Sequence, residues 1–336
     1  MALDPSRALP ASSLERPLRI AFFGSPALAV QSLDALLARP DLCEVVLVVA
    51  QPDKPAGCGR KLRRPAVASR ADEAGLALEQ PSRVRSGAFP ELVESLALDV
   101  LVVVAYGRIL TTRLLEAPAH GCINLHASLL PAYRGAGPIQ WCLINGDRQT
   151  GVTTMWMEEG LDTGPILLQE ATAIEPGETA AGLGERLAAL GATVLVRTLE
   201  QLRDGTLRAR PQPRDGVSLA PLLSAADGAI DWRCSATEID GRVRGVSPWP
   251  GARCGYRGGV LKVLAAHPAE DSGSSPRAAA GQVVALSNDG VRVSCGEGEL
   301  VLTRVQPLGR KAQDVADFLR GYGLRVGEDL HLPEGS

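Results

Sequence analysis

What this chain lacks narrows it before any motif is read. It has no surplus of one charge: 35 lysines and arginines stand against 38 aspartates and glutamates, a net charge of −3. A surface that is one broad electrostatic footprint for nucleic acid is excluded, so any contact with RNA has to be local. No apolar run approaches the ~18 residues that a bilayer-spanning helix requires. The opening "MALDPSRALPASSLERP" also lacks an apolar core of signal-peptide length. There is no C-x-x-C pair among Cys43, Cys58, Cys122, Cys142, Cys234, Cys254 and Cys295, and no histidine stands at ligand spacing from them. Their odd number and wide scatter point to a reducing cytoplasm and to no metal site.

What is present is a change of rhythm along the chain. From Leu18, short apolar runs alternate with amphipathic stretches: "LRIAFFG", "ALAVQSLDALLAR", "CEVVLVVA". That is the βαβ alternation of a buried parallel sheet. Helices are expected at "PAVASRADEAG", "FPELVESLA", "PIQWCLING" and "LGERLAALGATVLVRTLEQL", and strands at "DVLVVVAYG", "GCINLHAS", "GVTTMWM" and "PILLQEATAI". "DGTLRARPQPRDG" then reads as an exposed Pro/Gly linker. Beyond it, a helix at "SATEIDGRVRGV" precedes brief strands separated by glycine turns, the pattern of a small barrel. The helix "AQDVADFLRGYG" ends in a glycine stop signal. At 336 residues, two domains are expected. The boundaries are a flexible extension over 1–17, a first domain over 18–204, a linker over 205–221 and a second domain over 222–331. Residues 268–280 read as a loop within the second domain.

Chemistry concentrates in "INLHASLLPAYRGAGPIQ", Ile123 to Gln140. On a strand, Asn124 and His126 project from one face, about 6 to 7 Å apart. Two such groups can polarise a carbonyl and stabilise the oxyanion formed when an amine adds to it. Asp162, between glycines in "MEEGLDTGPILLQ", is the candidate to orient the histidine and manage protons. A lone histidine at a strand end is more often structural, and an aspartate between glycines often only closes a turn. Spacing alone leaves both readings open.

The segments "CINLHASLLPAYRGAGPIQWCLINGD" and "TGVTTMWMEEGLDTGPIL" resemble the folate-dependent formyltransferase family, whose signature joins N-x-H, S-L-L-P, Y-R-G and L-D-T-G in this order. The resemblance implies that Asn124, His126 and Asp162 occupy catalytic positions and that 10-formyltetrahydrofolate is the formyl donor. Asn124 would bind the formyl oxygen, His126 would stabilise the tetrahedral intermediate, and Asp162 would set the charge on the histidine. Ser128, Leu129, Leu130 and Pro131 would lie beside the donor. "VVVAYGRIL" would wall the pterin pocket through Val104, Tyr106, Gly107 and Ile109. The implied fold is α/β, a Rossmann-like, mostly parallel sheet in the catalytic domain, followed by a small OB-like β-barrel domain.

The acceptor has to be argued from elsewhere, because related enzymes serve different amines. "AIDW" and "SPWPGA" in the second domain are similar to landmarks of the branch that formylates methionine on initiator methionyl-tRNA. The loop "QPDKPAGCGRKLRRP" resembles an inserted loop of that branch and carries Lys54, Arg60, Lys61, Arg63 and Arg64. No acidic residue follows Asp53 within it, so phosphates of a tRNA end are the expected partner. Cys58 departs from the arginine common at that position. A nucleotide-linked amino sugar, glycinamide ribonucleotide or another small amine is the alternative acceptor. A nicotinamide-dependent oxidoreductase is disfavoured because "FFGSPALAV" lacks G-x-G-x-x-G. A non-catalytic RNA-binding protein would not need N-x-H and L-D-T-G. A monomer, with no membrane partner, is expected.

Overall fold

Continuous apolar strands such as "VLVVV" suit a sheet covered on both faces, and the computed structural model places them there. It describes residues 16–56, 61–270 and 278–332. In chain order the elements begin with β1 (Leu18–Gly24), α1 (Ala27–Leu37), β2 (Cys43–Val49), β3 (Lys54–Ala56), β4 (Lys61–Arg63), α2 (Ala66–Glu73) and β5 (Leu78–Glu79). They continue with α3 (Ala88–Ser95), β6 (Val100–Val104), α4 (Thr112–Glu116), β7 (Cys122–His126), α5 (Pro138–Ile144), β8 (Gln149–Trp156), β9 (Ile166–Ala173) and α6 (Ala180–Arg203). The chain ends with α7 (Ala236–Gly245), β10 (Ala252–Tyr256), β11 (Gly259–Pro268), β12 (Val283–Leu286), β13 (Val291–Ser294), β14 (Glu299–Pro307), β15 (Gln313–Asp314) and α8 (Val315–Tyr322).

Two compact units result. The described residues of the first fall within 16–136, 150–172 and 184–220. Its seven-stranded sheet has the order β5-β2-β1-β6-β7-β8-β9. β1 pairs in parallel with β2 and β6, β2 with β5, and β6 with β7, whereas β7 and β8 are antiparallel. The chain moves outward from β1 to β2 and then returns to β6 on the other side of β1. This is the switch in strand order beside which α/β sheets bind ligands, at the carboxyl ends of the strands. The carboxyl ends of β1, β6 and β7 therefore mark where a site is expected.

Of the extension expected over 1–17, residues 1–15 lie outside the described residues. Arg16 is tied down: its guanidinium makes two hydrogen bonds to Asp99, at 2.7 and 2.9 Å, and the Arg19 N–H adds a third at 2.7 Å. Burial pushes the Asp99 carboxyl up, but these donors outweigh it and hold the group below the ordinary carboxylate value.

The second unit contains 137–149, 173–183 and the described residues from 221 onward. It thus takes in α5, which the sequence reading placed within the first domain. Two glycines on α7 explain how α5 packs there. A Cβ at Gly241 would lie 2.6 Å from the Leu143 carbonyl oxygen, and one at Gly245 would lie 2.8 Å from that of Gln140. The four-residue spacing puts both gaps on one face of α7, where the α5 backbone passes.

The rest of this unit is an antiparallel sheet of order β10-β11-β14-β13-β12, with β15 beside β14. As a strand ladder it is open, since among the described residues β10 and β12 do not pair, so of the expected small OB-like barrel the separate antiparallel sheet is what is seen. A segment without regular structure stands between β10 and β12 instead. The Gly255 N–H donates to the Leu330 carbonyl at 2.8 Å, the Leu330 N–H to Gly281 at 2.9 Å, and the Val283 N–H to Glu328 at 2.9 Å. Trp232, fully buried, also donates its indole N–H to the Leu330 carbonyl at 3.0 Å. α8 ends at Gly323 in the left-handed conformation, as its stop signal predicts. Part of the expected 268–280 loop, 271–277, lies outside the described residues.

Candidate active site

β7 delivers Asn124 and His126 to one face, two residues apart at the carboxyl end of the parallel sheet. β8 runs antiparallel to it, with Met155 opposite Asn124 and Trp156 opposite Ile123. The loop after Trp156 folds back and brings Asp162 to both side chains. Asp162 Oδ1 accepts from Asn124 Nδ2 at 3.4 Å, and Oδ2 lies 3.7 Å from His126 Nδ1. Oδ2 also accepts the Gly135 N–H at 2.8 Å. The His126 and Asp162 side chains are nearly buried, 7% and 11% exposed, so charge within this trio is poorly screened.

The loop needs its glycines. A Cβ at Gly164 would lie 1.8 Å from the Trp156 carbonyl oxygen, so no larger residue fits that close approach. Asp162 itself has φ +52°, a conformation that aspartate tolerates better than most non-glycine residues.

One ring nitrogen of His126 is committed. Nε2 is 2.8 Å from the Tyr133 carbonyl oxygen, which can only accept, so Nε2 carries a hydrogen. Nδ1 is left facing Asp162 across a gap longer than a hydrogen bond. The Asn124–Asp162 contact is also at the weak limit. The three groups converge on one space without satisfying each other, and a ligand's polar atoms can complete them.

The segments expected to flank a donor divide into surface and support. Ser128 is buried and donates to Ala132 O at 2.6 Å, while Thr153 Oγ1 donates to Ser128 O and accepts from the Leu130 N–H. Leu130 is buried, and the Leu129 side chain packs against Gly151. Val104 and Tyr106 are buried, and burial pushes the Tyr106 phenol up to about 12. Gly107 has φ +75°, with no room for a Cβ beside Gln51 Nε2, and Ile109 is 65% exposed. Gly107 and Ile109 are exposed and Leu129 and Pro131 partly so, while Ser128, Leu130, Val104 and Tyr106 shape the surface from beneath.

Sequence reasoning missed several contributors. Gln51 Nε2 donates to Tyr106 O at 2.8 Å, and its N–H donates to Ser25 Oγ at 3.1 Å, joining the ends of β1, β2 and β6 at the switch in strand order. Gln212, within the supposed linker, donates to both Asp162 O and Gly164 O at 2.8 Å. A cavity of about 410 Å³ lies beside this loop, lined by Arg134, Glu158, Thr163, Gln212, Arg214 and neighbouring prolines. Gln51 and Gln212 had no signal beyond their residue type, because their contacts join distant parts of the chain, whereas Arg134 and Thr163 stand within the Y-R-G and L-D-T-G motifs.

Of the five cations in the basic loop, Arg60 and the Lys61 side chain lie outside the described residues, as does Cys58. β3 and β4 form a hairpin with Lys54 opposite Arg63. Lys54 Nζ bonds to Gln51 Oε1, and Arg63 is exposed. Arg64 is not an unbalanced cation: it pairs with Asp72 at 2.6 Å and Asp53 at 3.5 Å and donates to Gln80. In the second unit, Arg242 donates to Asp227 O and Arg244 pairs with Asp240. Both are occupied locally.

Comparison with known proteins extends the geometry. Residues 18–199 match the family model described as formyl transferase, and residues 222–323 match the formyl transferase C-terminal domain. A methionyl-tRNA formyltransferase of Myxococcus xanthus is 46% identical over 94% of this chain and 98% of its own length. One of Desulfotalea psychrophila is 46% identical over 95% and 97%. Among solved structures, an N-formyltransferase from Helicobacter canadensis, in complex with folinic acid and dTDP-3-aminofucose, superposes with a TM-score of 0.64. It is 16% identical and covers 86% of this chain and 99% of its own, a likeness of fold.

Proposed function

Because the chain belongs to the formyl transferase family, we propose that it moves a formyl group from 10-formyltetrahydrofolate to the α-amino group of methionine esterified to initiator tRNA. The observation that carries the chemistry is the convergence of Asn124, His126 and Asp162 on one unsatisfied space. The acceptor rests on the near-full-length likeness to methionyl-tRNA formyltransferases.

In this reading the neutral amine attacks the formyl carbon, and the Asn124 amide donates to the oxygen as it becomes negative. An α-amine of pKa no higher than about 7.7–8.0 is at least about one-tenth neutral near pH 7, so no strong base is required. The proton lost by the amine is taken up at the His126–Asp162 pair. A proton arriving at His126 Nδ1 makes an imidazolium held between the Tyr133 carbonyl and the Asp162 carboxylate. That differs from the direct oxyanion role read from the sequence, because Nε2 is already bound to Tyr133 O. The bond from the donor's N10 to the formyl carbon then breaks and N10 regains a proton. Pro131, Gly107 and Ile109 would contact the donor, on the supports described above.

All three groups come from one chain, so a monomer suffices, and the reaction belongs to translation initiation in the cytoplasm. The second unit, read as a small OB-like barrel whose seam is the 328–330 segment, would hold tRNA. We keep its domain as 222–331 and the catalytic domain as 18–204. The test is incubation with 10-formyltetrahydrofolate and charged initiator or elongator methionyl-tRNA, with dTDP-amino sugars alongside. Formyl-methionine on the initiator alone is expected, whereas transfer only to the sugar would replace this acceptor.

The basic hairpin gives a sharper check of the tRNA reading. Arg63→Ala should lower kcat/KM for charged tRNA, leave the KM for the folate unchanged, and reduce the salt slope by about one. Arg64→Ala should act mainly on stability, since its guanidinium braces Asp53 and Asp72. An unchanged salt slope in Arg63→Ala would make this hairpin an ordinary solvated surface.

A further inference from the structure

The supposed linker after α6 is laid along both active-site loops. Arg210 and Ile166 exchange backbone hydrogen bonds at 2.8 and 2.9 Å, on the Asp162 side. Further along, the Arg134 N–H donates to Ser218 O at 2.9 Å, the Ala220 N–H donates to Arg134 O at 2.7 Å, and the Tyr133 N–H donates to Ser218 Oγ at 2.9 Å. Between these anchors stands Gln212.

Its amide is fully used. Nε2 donates to Asp162 O and to Gly164 O, each at 2.8 Å, and Oε1 accepts from Arg134 Nε at 3.1 Å and Nη2 at 2.6 Å. The partners fix which end is which, since a guanidinium only donates and a carbonyl only accepts. Arg134 thereby orients the amide, and the amide grips the carbonyl oxygens on the two sides of Thr163.

This grip falls where the backbone most needs it. Asp162 has φ +52° and Tyr133 has φ +61°, conformations that cost a non-glycine residue energy and persist only when their surroundings over-determine them. If the Asp162 peptide relaxed, its carboxylate would swing from Asn124 and His126, and a displacement of about 1 Å can cost on the order of 100-fold in rate. We infer that Gln212, oriented by Arg134, is a positioning residue that fixes the Asp162 peptide so that its carboxylate faces Asn124 and His126. The inference rests on the role proposed above for Asp162. Gln212 acts through that loop, since its amide hydrogen bonds all go to protein partners.

The experiment uses the full chain with Gln212→Met, which keeps the size and removes the four hydrogen bonds. Gln212→Glu is the second variant, retaining the bond to Arg134 but turning an oxygen towards two carbonyls. Formylation kinetics are paired with imidazole NMR spectra, in which only 4 histidines contribute. For the folded variants we expect kcat to fall about 10- to 100-fold with both KM values within about threefold. The His126 ring signal should shift or broaden while those of His120, His267 and His331 stay in place.

A kcat within twofold of wild type with an unchanged His126 signal overturns the inference. So does a rise in KM at constant kcat, which would make Gln212 a substrate-binding group, or a fall in kcat with the His126 signal unmoved. A displaced His126 signal at unchanged kcat would uphold the positioning and overturn the role of Asp162 in the chemistry. The two failures are thus distinguishable.

Discussion

Replacing Asn124 or His126 with alanine, or Asp162 with asparagine, is expected to lower the turnover number of formyl transfer at least ~100-fold each. That corresponds to about 2.7 kcal/mol of lost transition-state stabilisation. Asn124 has the Nδ2 donor aimed into the common space, and His126 has Nδ1 facing Asp162 while Nε2 is held by Tyr133 O. Asparagine is the informative replacement at position 162. Like aspartate, it tolerates the φ of +52° that alanine would adopt only with strain, so chemistry and backbone are not removed together. Rates measured with saturating donor and acceptor, beside circular dichroism spectra, decide the matter. A folded His126→Ala enzyme near the wild-type rate would exclude that ring from the reaction.

The second large effect is expected in the second unit and concerns stability. Trp232→Ala removes its largest fully buried side chain and should cost about 3–5 kcal/mol. Trp232→Phe keeps most of the volume but deletes the indole donor to Leu330 O, for about 1–2 kcal/mol. Urea unfolding of the three proteins checks both values. Equal losses in the two variants would show that the hydrogen bond, not the filled volume, dominates.

The alternating apolar rhythm made the parallel sheet legible, since only strands covered on both faces read as runs like "LRIAFF" and "VLVVV". Period two likewise puts Asn124 and His126 on one face of β7. The approach of Asp162 was legible only through the family signature, because nothing local says that the loop after Trp156 folds back. Gln212 was hidden by its neighbours: between Pro211 and Pro213 it looks like a spacer, and its partners lie about 50 and 80 positions away. The balance of charge in the basic loop was misread for a similar reason, because Asp72, which pairs with Arg64, sits on the following helix. The open ladder of the second unit came from the same blindness: short β-rich runs announce strands, whereas Glu328 to Leu330 bear no strand signal and still connect two edges.

That last feature bears on solubility. An uncovered edge is a row of unpaired amide and carbonyl groups that can recruit a strand from another molecule. By occupying the Gly255 N–H on one side and Gly281 and Val283 on the other, the Glu328–Leu330 segment denies such docking at both margins of the sheet. Damage to this seam would therefore reveal itself first as self-association in concentrated solution, while the formyl-transfer groups, carried by the other unit, kept their own local contacts.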